Sequence, residues 1–230
     1  MSLFPVDPPP IHRDAHAVLL ICVLIGLFGL FVWWPIAILG FGAAIAVYVN
    51  YRDPDRVVPQ REGLVVAPAD GFVQFVGEGV PPSDLDMGAE VRPHVAITIG
   101  LGDNHVNRVP AEGVIERIFY RPGLYLNPTL DKASEYNERQ ALRIRTTAHG
   151  DIGVVQIAGI LRRRIVATVK EGDQVATGER FGLIRFGSRV DVFLPQGVSL
   201  LVEKGQRMVA GETVIADFAN GEGRRAGAVL

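Results

Sequence analysis

The sharpest change of pattern along the chain lies between residues 15 and 50. From Ala15 to Asn50 there is no Asp, Glu, Lys or Arg. A continuous helix of about 36 residues would be roughly 54 Å long, well beyond a hydrocarbon core of about 30 Å. Pro35, preceded by Trp33 and Trp34 and followed by Gly40 and Gly42, offers a break near the middle. The pattern therefore predicts two short apolar helices forming a membrane-embedded hairpin, with a kinked single span as the alternative. The preceding MSLFPVDPPPIHRD lacks the basic start of a cleavable signal peptide. Arg13 flanks one end, and Arg52, Arg56 and Arg61 flank the other. The positive-inside bias then places the following domain on the cytoplasmic face of the cell (inner) membrane under either topology.

After the Pro-rich charged linker YRDPDRVVP, the pattern changes to short Val-, Ile- and Phe-rich runs punctuated by Gly, Pro and Asp. These are strand signals. They fall at about 63–67, 71–77, 94–100, 113–121, 141–147, 152–159, 164–170, 181–186, 189–194, 198–203 and 212–218. Residues 127–138 are polar and read as a loop with one helical turn. The division is thus an anchoring segment 1–50, a linker 51–62 and a β-rich domain 63–220.

An internal repeat supports the β reading. VKEGDQVATGERFGLI at 169–184 matches VEKGQRMVAGETVIAD at 202–217, pairing Gly172 with Gly205 and Gly178 with Gly211. Glycines at such spacing suit tight turns that need positive φ. The fold expected is mainly β, an antiparallel sandwich or barrel-like domain with repeated Gly-rich hairpins behind a hydrophobic helical hairpin.

Charge and cysteine content narrow the function classes. The chain has 23 basic and 25 acidic residues, giving a formal net charge of −2, so it carries no electrostatic footprint for nucleic acid. Its single cysteine, Cys22, lies in the apolar segment, which leaves the β domain without a disulfide framework, a cysteine zinc site or a thiol nucleophile. The Gly-rich turns look like those of biotinyl and lipoyl modules, and Asp131-Lys132-Ala133 matches a lipoyl attachment triplet. A membrane-anchored, non-catalytic carrier or adaptor is therefore the alternative function. A metallopeptidase on such hairpins would need a third ligand beside Asp103 and His105, and the sequence offers none at metal spacing.

Gly187-Ser188 is the only Gly-Ser pair in the chain and lies between the two repeat copies. Alone it reads as a type II′ hairpin turn. However, FGSRVDVFLP, together with APADG at 67–71, DNHVNRVPAEG at 103–113 and DKASEYNER, resembles the short membrane-associated branch of the phosphatidylserine decarboxylases. The likeness runs from about residue 50 to 219 in the family's order and spacing.

The resemblance implies a proenzyme that cuts itself between Gly187 and Ser188 into a β chain of residues 1–187 and an α chain of residues 188–230, with Ser188 becoming a pyruvoyl group. It implies decarboxylation of phosphatidylserine to phosphatidylethanolamine and CO2 through a Schiff base, with no metal and no pyridoxal phosphate. Serine suits the position because its oxygen can act first as nucleophile and then as leaving group. By the same resemblance His105 belongs to the decarboxylation site, and Asp70 to an Asp-His-Ser arrangement for self-cleavage. Long-form members carry a second histidine where this chain has Arg108, so either His105 serves both steps or another base assists cleavage. Arg108 and Arg189, with Arg121 and the run Arg162 to Arg164, are candidate contacts for the lipid's anionic groups. The partners implied are the lipid, the bilayer and the protein's own two chains, with further homo-oligomerisation left open.

Overall fold

The computed structural model describes residues 11, 15–100, 102–127, 136–147, 149–159, 165–184 and 188–219, with only the backbone of Ser188. It divides into two compact units, one of residues up to Asp55 with Gly102–Asn104, the other of Arg56–Leu101 and the residues from His105 onward.

The first unit is built on two apolar helices, α1 (His16–Val32) and α2 (Trp34–Tyr51). The chain breaks at Trp33, which is extended, and Pro35 follows in the first turn of α2. Proline suits that position because its missing N–H would have no intrahelical partner there. Small residues let the helices touch: a Cβ added to Gly29 would meet the backbone of Ala37, and one added to Gly40 the backbone of Gly26. The outer faces carry bare apolar side chains, Phe31 at 90% exposure and Leu39 at 72%. Of the two, Trp34–Tyr51 is long and apolar enough to cross a bilayer, while His16–Val32 is apolar but shorter.

The second unit is mostly β among its described residues, with one short 3-10 helix at Ser83–Leu85. Its strands are β1 (Leu64–Val66), β2 (Gly71–Gly79), β3 (Arg92–Ile99), β4 (Val106–Arg108), β5 (Gly113–Arg121), β6 (Arg139–Arg145), β7 (Asp151–Ile157), β8 (Ile165–Ala167), β9 (Gln174–Val175), β10 (Arg180–Ile184), β11 (Ser188–Phe193), β12 (Arg207–Met208) and β13 (Val214–Asp217). The expected mainly β, antiparallel fold is what forms. Residues 198–203 contribute only an isolated bridge from Leu200 to Ala216, and β4, β9 and β12 are additional short strands.

The large sheet runs β12-β2-β3-β11-β7-β6-β5-β9, beside a three-stranded sheet β4-β10-β8 and a pair β1-β13. The eight-strand order is palindromic, and its registers show that this is a pseudo-two-fold. Phe72 pairs with Thr98 and Arg207 on one side, and Val114 with Arg145 and Gln174 on the other. The bulge between Val73 and Phe75 has its twin between Ile115 and Arg117. At the centre Val192 pairs with Val154, each the other's equivalent.

One face of the sheet packs the main core, including Ile97, Ile115, Leu142, Ile152, Val190 and Val192. Leu85 and Met87 cover part of the other face with Ala141, Val155, Ile157 and Phe193. On β11, Val190 and Val192 thus enter the main core and Phe193 the other, as strand alternation requires.

Candidate functional site

Residues 68–71, 105–108 and 188–191 converge because the sheets bring their strand ends together. β4 pairs with β10 so that Val106 lies opposite Leu183. One step further, His105 accepts the Ile184 N–H on its carbonyl at 3.1 Å. On the large sheet, Ser188 lies opposite Ile99 at the end of β3. The backbone is therefore held on both sides of residues 185–187, at Ile184 by His105 and at Ser188 by Ile99. Gly187 itself lies outside the described residues, as do Lys132 and Arg162 to Arg164.

Asp70 arrives from the turn before β2. Gly71 follows it with φ +144°, and an added Cβ would clash with the Thr98 carbonyl, so only glycine lets β2 start this close to β3. The same turn is tied to the His105 segment: the Arg108 N–H donates to the Pro68 carbonyl at 2.9 Å. Asn107, fully buried, donates to the same carbonyl at 3.4 Å and accepts from Gln156 at 2.8 Å. The Asp70 carboxylate accepts from Arg56 and from the Ala210 N–H, both at 2.7 Å. The two bonds hold that carboxylate in one place.

His105 is 3% exposed. Asp70 and His105 thus stand on adjoining segments, joined by the bond from Arg108 to Pro68. Arg108 is buried and donates through Nη1 to the Gly178 carbonyl at 3.0 Å. Arg189 is buried and makes a two-pronged contact with Asp191, at 2.5 Å from Nε and 3.0 Å from Nη2. Both arginines hold the protein's own groups. His94 completes the Arg189 cluster: its Nε2 lies 3.5 Å from Asp191, and its ring stacks on Phe193 at 4.4 Å. That packing makes it a structural residue of its strand.

Arg121 belongs to a different group. It lies 3.6 Å from Asp84, which Arg139 contacts at 2.5 Å. His149 is a turn residue whose ring stacks on Phe218 at 4.6 Å.

Two residues of this region escaped the sequence reading. Asp191 was visible in principle, since residues two apart on a strand share a face and it stands two after Arg189. Arg56, the partner of Asp70, reads only as part of a basic linker, and nothing local marks it.

An end group at residue 188 would sit at the start of a central strand, with its neighbour Arg189 pinned and buried. Those features fit a self-derived carbonyl group, which must keep its place once its own chain is cut. Comparison with known proteins bears on the family. A family model described as phosphatidylserine decarboxylase matches residues 44–216. The phosphatidylserine decarboxylase proenzyme of Cereibacter sphaeroides is 48% identical over 219 residues, covering 95% of this chain and 94% of that protein.

Proposed function

The chain belongs to the phosphatidylserine decarboxylase family, and from that membership we propose that it matures by cutting itself between Gly187 and Ser188 and then works with a pyruvoyl group made from Ser188. It is a carboxy-lyase that converts phosphatidylserine to phosphatidylethanolamine and CO2. Neither the fold nor the comparisons favour the carrier alternative.

Cleavage starts when the Ser188 hydroxyl attacks the Gly187 carbonyl and the acyl group moves from nitrogen to oxygen. Elimination then breaks the Cβ–O bond, leaving a carboxylate on Gly187 and a dehydroalanine at 188. Addition of water to that residue, after its tautomerisation to the imine, releases ammonia. His105 is the base we assign to the hydroxyl proton, because its segment is bonded to Ile184 just ahead of the cut. Asp70 is the carboxylate we assign to orient that imidazole.

The pyruvoyl group supplies an electrophilic carbonyl that takes up the substrate amine and accepts the electron pair released with CO2. The chain's residues set the scene for that chemistry. The ladders of β11 to β3 and β7 keep residue 188 in place. Arg189, held by Asp191, steadies the start of β11. Arg108 belongs to the same reading through its hold on the Gly178 turn. His105 is also the group we assign to return a proton to the α-carbon. The helical pair anchors the enzyme in the bilayer with the catalytic domain on the cytoplasmic face, which keeps the active site at its lipid.

The observation that carries this reading is the double hold on the strand ends around residues 185–187, by His105 at Ile184 and by Ile99 at Ser188. Intact-mass spectrometry of the purified protein beside Ser188→Ala tests it, read together with CO2 release from phosphatidylserine vesicles. The wild type is expected as two chains splitting at Gly187/Ser188, and Ser188→Ala as one inactive chain of about 25.0 kDa. An active wild type that remains a single chain would overturn the reading.

A further inference from the structure

The row of positions that contains residue 188 can be followed across the large sheet. Arg189 pairs with Ile157, and Ile157 with Arg139. One step back along the row, residue 188 therefore lies opposite Ala158, and Ala158 opposite Glu138. The Ala158 N–H donates to the Glu138 carbonyl at 2.9 Å, which fixes the second match. Glu138 thus stands two strands from residue 188, about 10 Å between backbones, with only the small Ala158 in the row between them. Position 138 has the parity of Leu142 and Ile144, and position 188 that of Val190 and Val192, so both belong to the main-core face.

Glu138 also closes a ring around the proposed cut. Its carboxylate accepts the Ile165 N–H at 3.3 Å. Ile165 pairs with Ile184, whose N–H donates to the His105 carbonyl. His105 on the β4 side and Glu138 on the β8 side thus flank the end of β10, which residues 185–187 join to Ser188.

A carboxylate in such a place calls for a cation. Glu138 is 3% exposed, and the bond from Ile165 is the only one its carboxylate makes among the described residues. The other buried carboxylates of the β domain each meet an arginine: Asp70 has Arg56, Asp84 has Arg139, Asp191 has Arg189 and Asp217 has Arg61. A buried charge left without such a partner is costly. On the same face Gln140 and Gln156 are buried, and Nε2 of the first and Oε1 of the second have no hydrogen-bond partner. Leu142 pairs with Val154 as Val95 pairs with Val192, so the pseudo-two-fold puts Pro93 and Leu194 in place of the two glutamines and Val91 in place of Glu138. The fold itself therefore does not require polar groups at these positions. They mark a place for a polar ligand beside residue 188.

We propose that Glu138 receives the primary ammonium of the substrate and removes one of its protons, so that the nitrogen meets the carbonyl at residue 188 as a free amine. The proposal rests on the pyruvoyl reading above. One N–H bond breaks, its electron pair stays on nitrogen as the lone pair, and the proton forms an O–H bond on Glu138. That proton later leaves with the water released when amine and carbonyl condense. The step is needed because an ammonium has no lone pair with which to attack.

The test uses purified full-length Glu138→Gln, which keeps an acceptor for the Ile165 N–H and removes the charge. Intact-mass spectrometry should show it cut at Gly187/Ser188 as fully as the wild type, at an unchanged melting temperature. Phenylhydrazine, a neutral nucleophile at pH 7, should add to the α chain of both proteins at the same rate, read as a mass increase. Decarboxylation of phosphatidylserine vesicles should fall about a hundredfold or more at pH 7. It should then recover about tenfold per pH unit towards pH 9, as solution supplies the free amine, a slope the wild type lacks. Glu138→Asp, which keeps the charge, should restore part of the rate without the slope. Unchanged decarboxylation in Glu138→Gln would overturn the proposal, as would a Glu138→Asp rate no better than that of Glu138→Gln. Loss of phenylhydrazine labelling together with activity, or a variant that stays uncut, would also overturn it, because Glu138 would then support the site rather than meet the ammonium. A wild type that takes up no phenylhydrazine would instead overturn the pyruvoyl reading.

Discussion

Asp191 is the side chain on which the surroundings of residue 188 most depend. Both Arg189 and His94 meet it on a sheet face where all three are less than a tenth exposed. Asp191→Ala strands a buried guanidinium, a defect that costs about 3–5 kcal/mol. The expected outcome is a melting temperature lower by roughly 10 °C, read by thermal denaturation, with slower appearance of the two chains on a denaturing gel. The cluster was half legible in the sequence: GSRVD drew attention to Arg189 through its place after the scissile pair, and strand alternation would have added Asp191. The bond between Arg56 and Asp70 was not legible. It links a linker residue to a turn 14 positions on, and only the folded path of the linker, where Val58 lies against Gly178, brings them together.

Among the elements, the long alternating runs were read well because burial on one or two faces imposes their pattern; β5 has the expected bounds, Gly113–Arg121. The short ladders were missed for a physical reason. β9 and β12 are two residues each, too short for a period to register, and they exist because the turns beside them are pinned to β5 and β2. The helix break falls at Trp33 rather than at Pro35, since proline is at home in a first turn. The Gly-rich turns permit a graded prediction. Gly172 has φ +89° with open space around it, so Gly172→Ala should cost only about 1–2 kcal/mol of backbone strain. Gly178, at φ +78°, would add a clash with Val58, and Gly71→Ala would press on the Thr98 carbonyl in a central ladder. Urea midpoints for the three should fall in that order, with Gly172→Ala nearest the wild type.

For the whole molecule, the apolar helical pair and the β domain were legible as separate patterns, and one of the two repeats that make up the symmetry was visible at an offset of 33. The other, Pro-Ala-Asp-Gly against Pro-Ala-Glu-Gly, is only four residues long and gains meaning from the matched registers. The proposed anchoring predicts that a chain lacking residues 1–50 will move from the membrane pellet to the supernatant in ultracentrifugation while still being cut at Gly187/Ser188. The position of β11 between β3 and β7 has a further effect under the proposed cut before Ser188. The fragment from residue 188 onward still supplies a middle strand, so the halves stay together on a sizing column without denaturant. Their unfolding, however, becomes a dissociation: the urea midpoint of the mature protein should fall on dilution, whereas that of uncut Ser188→Ala should not. Rejoining after denaturation is then a meeting of two molecules, and the maturation that made them cannot be run backwards.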